Sequence, residues 1–329
     1  MRPTARFYYI VILLGLVAAL GVLVFVYLDV QEAPHVTATT GPAEPGVPRF
    51  MYAVAAPAGQ AFRPRGAAIV GTRAYFADSE GSRVAVLDLT RGQDARLAFI
   101  PIAPDQQGEK LPRRPQPTSV AALADGTLLA ADAANGRLWH LAADGSLLGD
   151  FPGERERERS GLSQPVGLAV AGDEVFVTDV KDQRIKVFSV GGRFLRSFGD
   201  AGFRPGQLSF ANSLAIGLDG SLFVADSNNR RVQVLDDVGA PLLVIDKVDG
   251  GNQMALPRGV ALDRFGRLHV ADTFGQTVYV YRDSGEPLFF YGRGPNEDEK
   301  LNMPEGIAIS DKWIVVSDGG NRRVVVYSY

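Results

Sequence analysis

Between residues 214 and 245 the chain alternates short apolar runs with clusters of turn residues. Residues 214–218 form an apolar run that ends at the turn dipeptide Asp219-Gly220. A second run, 222–225, is closed by Asp226 and broken by Ser227-Asn228-Asn229. Residues 231–235 set Val232, Val234 and Leu235 against Gln233, and a turn at 237–239 leads into a fourth run at 242–245. Short runs of this kind, punctuated by Gly, Asn and Asp, are antiparallel strands joined by tight turns. The pattern predicts one four-stranded up-and-down sheet.

That sheet is copied along the chain. Asp78, Asp132, Asp179, Asp226, Asp272 and Asp318 recur at intervals of 54, 47, 47, 46 and 46 residues, and each closes a second-strand run. Upstream of each stands Pro64-Arg65-Gly66, Pro117-Thr118-Ser119, Pro165-Val166-Gly167, Ala211-Asn212-Ser213, Pro257-Arg258-Gly259 or Pro304-Glu305-Gly306. Two residues further on there is always alanine: Ala68, Ala121, Ala169, Ala215, Ala261 and Ala308. A supersecondary unit repeated at this period is an array, and six four-stranded units arranged radially make an all-β, six-bladed β-propeller. Innermost strands converge on the axis, so one face stays small while the other fills the gap between blades. The sixth copy stops after its third strand, and the apolar run 50–55 precedes the first copy. This N-terminal strand is expected to complete the last blade, leaving no open edge.

The Pro-x-Gly start, the strand-ending Asp and an Arg five residues later resemble the NHL repeat. That arginine is Arg83, Arg137, Arg184, Arg231 and Arg323, with Thr277 departing in the fifth copy. The loop from Phe198-Gly199 to Pro205-Gly206-Gln207-Leu208 is similar to the family as well. The resemblance spans roughly residues 50–329. It implies the propeller, but NHL propellers serve as protein-binding, RNA-binding and ligand-sensing modules and have lyase relatives, so fold does not give function.

Residues 7–28 carry no charge over 22 positions, enough to cross a bilayer as a helix. Arg2 and Arg6 precede the stretch, and Asp29 and Glu32 follow it. The expected topology is a cytoplasmic stub at 1–6, a transmembrane helix at 7–28, a Pro-rich tether at 29–49 and the propeller outside, periplasmic or at the cell surface. The rival is a cleaved signal peptide, whose nearest small-x-small site, Val36-Thr37-Ala38, ends ten residues past Leu28. The absence of cysteine excludes disulfides, thiolate metal sites and a cysteine nucleophile. A net charge of −3 offers no general field for nucleic acid. Three histidines, His35, His140 and His269, share no metal-ligand spacing, and no Ser sits in a Gly-x-Ser-x-Gly elbow. No cofactor, metal or catalytic constellation is therefore expected.

The aspartates and the arginines five residues on read as one structural pair per blade, bridging its second and third strands. Glu154-Arg155-Glu156-Arg157-Glu158-Arg159 reads as a solvated, self-neutralising loop. The repeats disagree at the middle of the first-strand element. In ring order it reads Arg65, Thr118, Val166, Asn212, Arg258 and Glu305. These residues begin the innermost strands and should surround one mouth of the channel, where variation is free to carry specificity. Arg258, Glu305 and Arg65 become neighbours when the ring closes, a cation–anion–cation arc suited to an anionic group. The plainer reading of the same arc is an internally neutralised cluster that caps the channel. Two arginines there also disfavour a calcium site. Phe203, Phe210 and Phe274 are expected on the same face. The expectation is a binding or scaffold module for a membrane or extracytoplasmic protein or a small anionic ligand, with a metal-dependent propeller lyase or hydrolase as the alternative.

Overall fold

A computed structural model describes residues 46–102, 111–142, 144–248 and 251–329. These residues form six four-stranded antiparallel sheets, one per copy of the repeat. Blade 4 is representative, with strands Ala211–Ile216, Leu222–Asp226, Arg231–Leu235 and Pro241–Ile245 in spatial order. Each first strand packs on the first strands of the blades before and after it, and that of blade 6 packs on that of blade 1, so the ring is closed. The closing strand is Arg49–Ala55, which pairs antiparallel with Arg323–Ser328 as the outermost strand of blade 6. The apolar stretch 7–28 and tether residues 29–45 lie outside the described residues. Among the described residues no helix is long and apolar enough to cross a membrane.

Six apolar cores hold the ring, each between two adjacent blades. The repeated alanine has its place there. Ala121 of blade 2 meets Leu168 and Val170 of blade 3, Ala169 meets Leu214 and Ile216, and Ala261 meets Ile307 and Ile309. Each first strand thus offers a small residue on one face to the large pair on its neighbour. That small-to-large fit fills the narrow inner end of each wedge without voids.

The strand-ending aspartates are completely buried in all six blades. Each accepts the backbone N–H of the segment arriving from the previous blade, just before the first strand of its own. The donors to Oδ1 are Arg63 (2.9 Å), Gln116 (3.0 Å), Gln164 (3.0 Å), Ser209 (2.6 Å), Leu256 (2.7 Å) and Asn302 (2.7 Å). This segment cannot join a ladder, and the proline that follows in most copies has no N–H, so the carboxylate satisfies a donor that would otherwise be lost.

The second carboxylate oxygen departs from the expected pattern. Arg83, Arg231 and Arg323 do pair with Asp78, Asp226 and Asp318, at 2.7, 2.8 and 2.7 Å. In blade 2 the indole N–H of Trp139 donates to Asp132 at 3.0 Å, and Arg137 turns to Asp150. In blade 3 Lys186 lies 2.7 Å from Asp179, and Arg184 turns to Asp200. In both blades a long side chain seven residues past the aspartate, on the same face of the third strand, fills the arginine's place. Blade 5 has Thr277 and holds Asp272 with the N–H groups of Ala255, Leu256 and Gly275. The charge run at 154–159 also differs from expectation. It forms a short helix, Glu154–Ser160, ended by Gly161 at φ +63. Glutamates in its first turn and arginines in its last complement the helix dipole. The helix is fastened by Arg157 to Asp150 at 2.6 Å and by Glu156 to the Phe194 N–H at 2.9 Å.

Replacing Asp226 by Ala strands the Ser209 N–H, Asn229, Arg231 and Gln233 at a buried point. The expected loss is on the order of 3–5 kcal/mol, read by guanidinium denaturation. Glu158→Ala, on the exposed helix face, should move stability by no more than about 0.5 kcal/mol.

Candidate functional site

The first strands begin on one face, and their variable residues converge. Arg65, Thr118, Val166, Asn212, Arg258 and Glu305 all line one cavity of about 840 Å³. The cavity narrows along the axis into a pocket of about 60 Å³ lined by the same six side chains. The glycine after the variable residue makes this convergence possible. A Cβ on Gly259 would stand 2.8 Å from the carbonyl oxygen of Glu305, one on Gly66 2.7 Å from the Cα of Ser119, and one on Gly306 would collide with the carbonyl of Arg65. Innermost strands approach this closely only where one of them lacks a side chain.

The charged sector centres on Glu305, whose side chain is 4% exposed. Arg63 Nη2 approaches it at 3.1 Å, Arg258 Nη1 at 3.2 Å and Arg65 Nη1 at 3.5 Å. Arg65 also donates from Nε to Ser79 Oγ at 3.2 Å. Burial lowers the pKa of Arg65 from its ordinary value, Glu305 pulls it back up, and Arg63 and Arg258 add to the lowering. An arginine so shifted still carries its charge at neutral pH. Arg322 and Glu80 line the same cavity, so four arginines face two glutamates and leave it two positive charges. The Nε of Arg258 is buried without a hydrogen-bond partner among the described residues.

The uncharged half is committed to the fold. Thr118 Oγ1 lies 3.3 Å from the carbonyl oxygens of both Ala131 and Pro165. Asn212 donates from Nδ2 to Ser227 Oγ at 2.7 Å and to the carbonyl of Phe210 at 3.1 Å. Phe210 lines the mouth, while Phe203 and Phe274 are exposed and do not line the cavity.

Arg63 belongs to a second ring that reasoning from the first-strand element alone passes over. The residue before each first strand is Arg63, Gln116, Gln164, Phe210, Leu256 or Met303, and all but Leu256 line the cavity. The signal was available in the sequence, because these positions vary in phase just as their neighbours do. They are brought inward because the buried aspartate grips the backbone at or beside them.

Neither described histidine reaches the mouth. His140 Nε2 lies 2.8 Å from Thr127 Oγ1. His269 is completely buried, with Nε2 3.1 Å from Asp263 and Nδ1 3.1 Å from the Tyr291 hydroxyl, and burial holds its pKa below the usual histidine value against the pull of Asp263. His35 lies outside the described residues. Among the described residues no three His, Asp or Glu side chains are grouped to hold a metal ion.

Comparison with known proteins places this geometry. The NHL repeat model matches residues 162–188, which span the first three strands of blade 3. Over 105 residues the chain is 30% identical to protein brain tumor of Drosophila melanogaster, and over 101 residues 33% identical to the E3 ubiquitin-protein ligase NHLRC1 of Homo sapiens. Those segments cover 31% and 30% of this chain but only 10% and 24% of the two relatives. Among solved structures, virginiamycin B lyase of Staphylococcus aureus is 13% identical with a TM-score of 0.57, covering 86% of this chain and 99% of the lyase. A Bacteroides thetaiotaomicron protein of unknown function is 12% identical with a TM-score of 0.63, covering 85% and 75%. At such identities the two structures share the fold alone. The chain is thus a six-bladed β-propeller that carries an NHL repeat in blade 3, and the buried aspartate of that repeat recurs in all six blades.

Proposed function

We propose that this propeller is a binding module that recognises an anionic group, on a protein partner or as a small ligand, at the mouth of its channel. The observation that carries the reading is Glu305, a buried carboxylate already met by three arginines inside a concave site. One carboxylate cannot neutralise three guanidinium groups. Their remaining donors face a cavity whose low-dielectric walls strengthen any charge-assisted hydrogen bond made there. The self-neutralised cap would require matched charge, but Arg65 and Arg258 already outnumber Glu305 by one and Arg63 widens the excess to two.

The reading includes a location. Residues 7–28 would anchor the chain with the propeller outside the cytoplasm, as the charge pattern around that stretch suggests. Within the described chain, Arg49 pairs with Ser328 at the far end of the third strand of blade 6, on the side of the ring opposite the mouth. An enzymatic reading has less to rest on. The lyases of similar fold keep it in view, but here no described histidine lines the cavity and its charge is arginine-rich.

The direct test is crosslinking and capture from native membranes, comparing the intact chain with an Arg65→Glu, Arg258→Glu variant whose fold is verified by circular dichroism. A partner held by the first and lost by the second supports the mouth as the site. Equal capture by both removes the mouth from the account. Glu305→Gln gives an independent reading. With the carboxylate gone, three arginines repel one another, and stability should fall by on the order of 2 kcal/mol at low salt. Sulfate should restore the melting temperature more than chloride at equal ionic strength. An equal response to both salts would mean the arginines do not form an anion site.

A further inference from the structure

The mouth also holds two apolar side chains on unusual backbone, and anion binding alone gives them no task. Phe210 has φ +58 and Met303 has φ +51, left-handed conformations that bulky side chains rarely adopt. Both immediately precede a first strand, in blades 4 and 6. In these two blades the buried aspartate takes its N–H one residue earlier than in the other four, from Ser209 and Asn302. The shift frees the next residue to turn its side chain toward the axis.

Phe210 is held there from two blades. Its N–H donates to Gln183 Oε1 at 2.6 Å, and its carbonyl accepts from Asn212 Nδ2 at 3.1 Å and from the Ser227 N–H at 3.4 Å. Backbone strain fixed by its surroundings, with the side chain left 42% exposed, marks a position kept for contact rather than for the core. Phe210 and Met303 flank blade 5, and between them rises Arg258, whose Nε is buried without a hydrogen-bond partner among the described residues.

We propose that the mouth takes a carboxylate carried on an apolar body. The charged end meets Arg258 and Arg65, and the body lies between Phe210 and Met303. A planar carboxylate matches the guanidinium fork, and the apolar residues beside that fork would gain nothing from a bare inorganic anion. This deepens the anion-binding reading and rests on it. Two sources share the chemistry: a small aryl or acyl acid, and the carboxyl terminus of a polypeptide that ends in an apolar residue.

The test is calorimetric titration of the full chain with 3-phenylpropionate, with acetate, and with a peptide ending in Phe as free acid or as amide. The apolar acid, the free-acid peptide or both should bind at least tenfold tighter than acetate, and the amide should lose this gain. Which of the two binds identifies the source. Phe210→Gly should weaken the apolar ligand by roughly tenfold, leave acetate unchanged and keep or raise the melting temperature, because glycine accepts this φ. Met303→Gly carries the same test should Phe210→Gly misfold. Equal binding of acetate and 3-phenylpropionate together with no preference for the free-acid peptide, or no loss in the glycine variant, overturns the proposal while leaving the anion site standing. If Arg65→Gln with Arg258→Gln leaves every affinity unchanged, the anion reading falls with it.

Discussion

A buried carboxylate at the end of each second strand ties down the one stretch of backbone that the sheet ladders cannot reach. The chain leaves the outermost strand of one blade and must travel to the axis to begin the next. It arrives with an N–H that has no strand to pair with and, in most blades, a proline behind it. An aspartate without solvent, held by three or four donors, fixes that arrival point within a hydrogen-bond length. The cost of removing either side is high because the other is then buried unpaired. This explains why the aspartate recurs in all six blades although its arginine partner does not.

The same grip decides what the mouth can be. Once the arriving backbone is fixed, the residue before each first strand and the variable residue two positions on are both brought to the cavity, Leu256 of blade 5 excepted. They form two concentric rings of variable side chains on a rigid rim. Glycine at the following position lets neighbouring strands close to contact distance, which brings Arg65, Arg258 and Glu305 within reach of one another. Moving the grip one residue earlier in blades 4 and 6 adds Phe210 and Met303 to the inner surface. A cationic sector with an apolar flank thus arises from a uniform scaffold by changing residues that differ from blade to blade.

Much of this was legible in the sequence because the fold repeats its constraints. The aspartate period gives the blade count, and the in-phase alanines give the small side of each inter-blade wedge. The first-strand element identifies the inner ring, since a fold keeps what it needs and varies elsewhere. What escaped was whatever depended on a side chain outside the repeat. Trp139 and Lys186 displace an arginine that spacing alone would pair with Asp132 and Asp179. The 154–159 run forms a helix because its charges are ordered to suit a dipole and Asp150 waits to receive Arg157. Arg63 escapes the repeat pattern because it precedes Pro64 and so lies outside the Pro-x-Gly element. That third arginine raises the excess positive charge around Glu305 from one to two.

Hydrogen–deuterium exchange of the full chain, with and without 3-phenylpropionate, tests the account most directly. Slower exchange is predicted in the segments that begin the first strands of blades 1, 4, 5 and 6, around Arg65, Phe210, Arg258 and Glu305, with the turns on the opposite face unchanged. Protection confined to that opposite face, or no protection at a concentration where calorimetry reports binding, would contradict it.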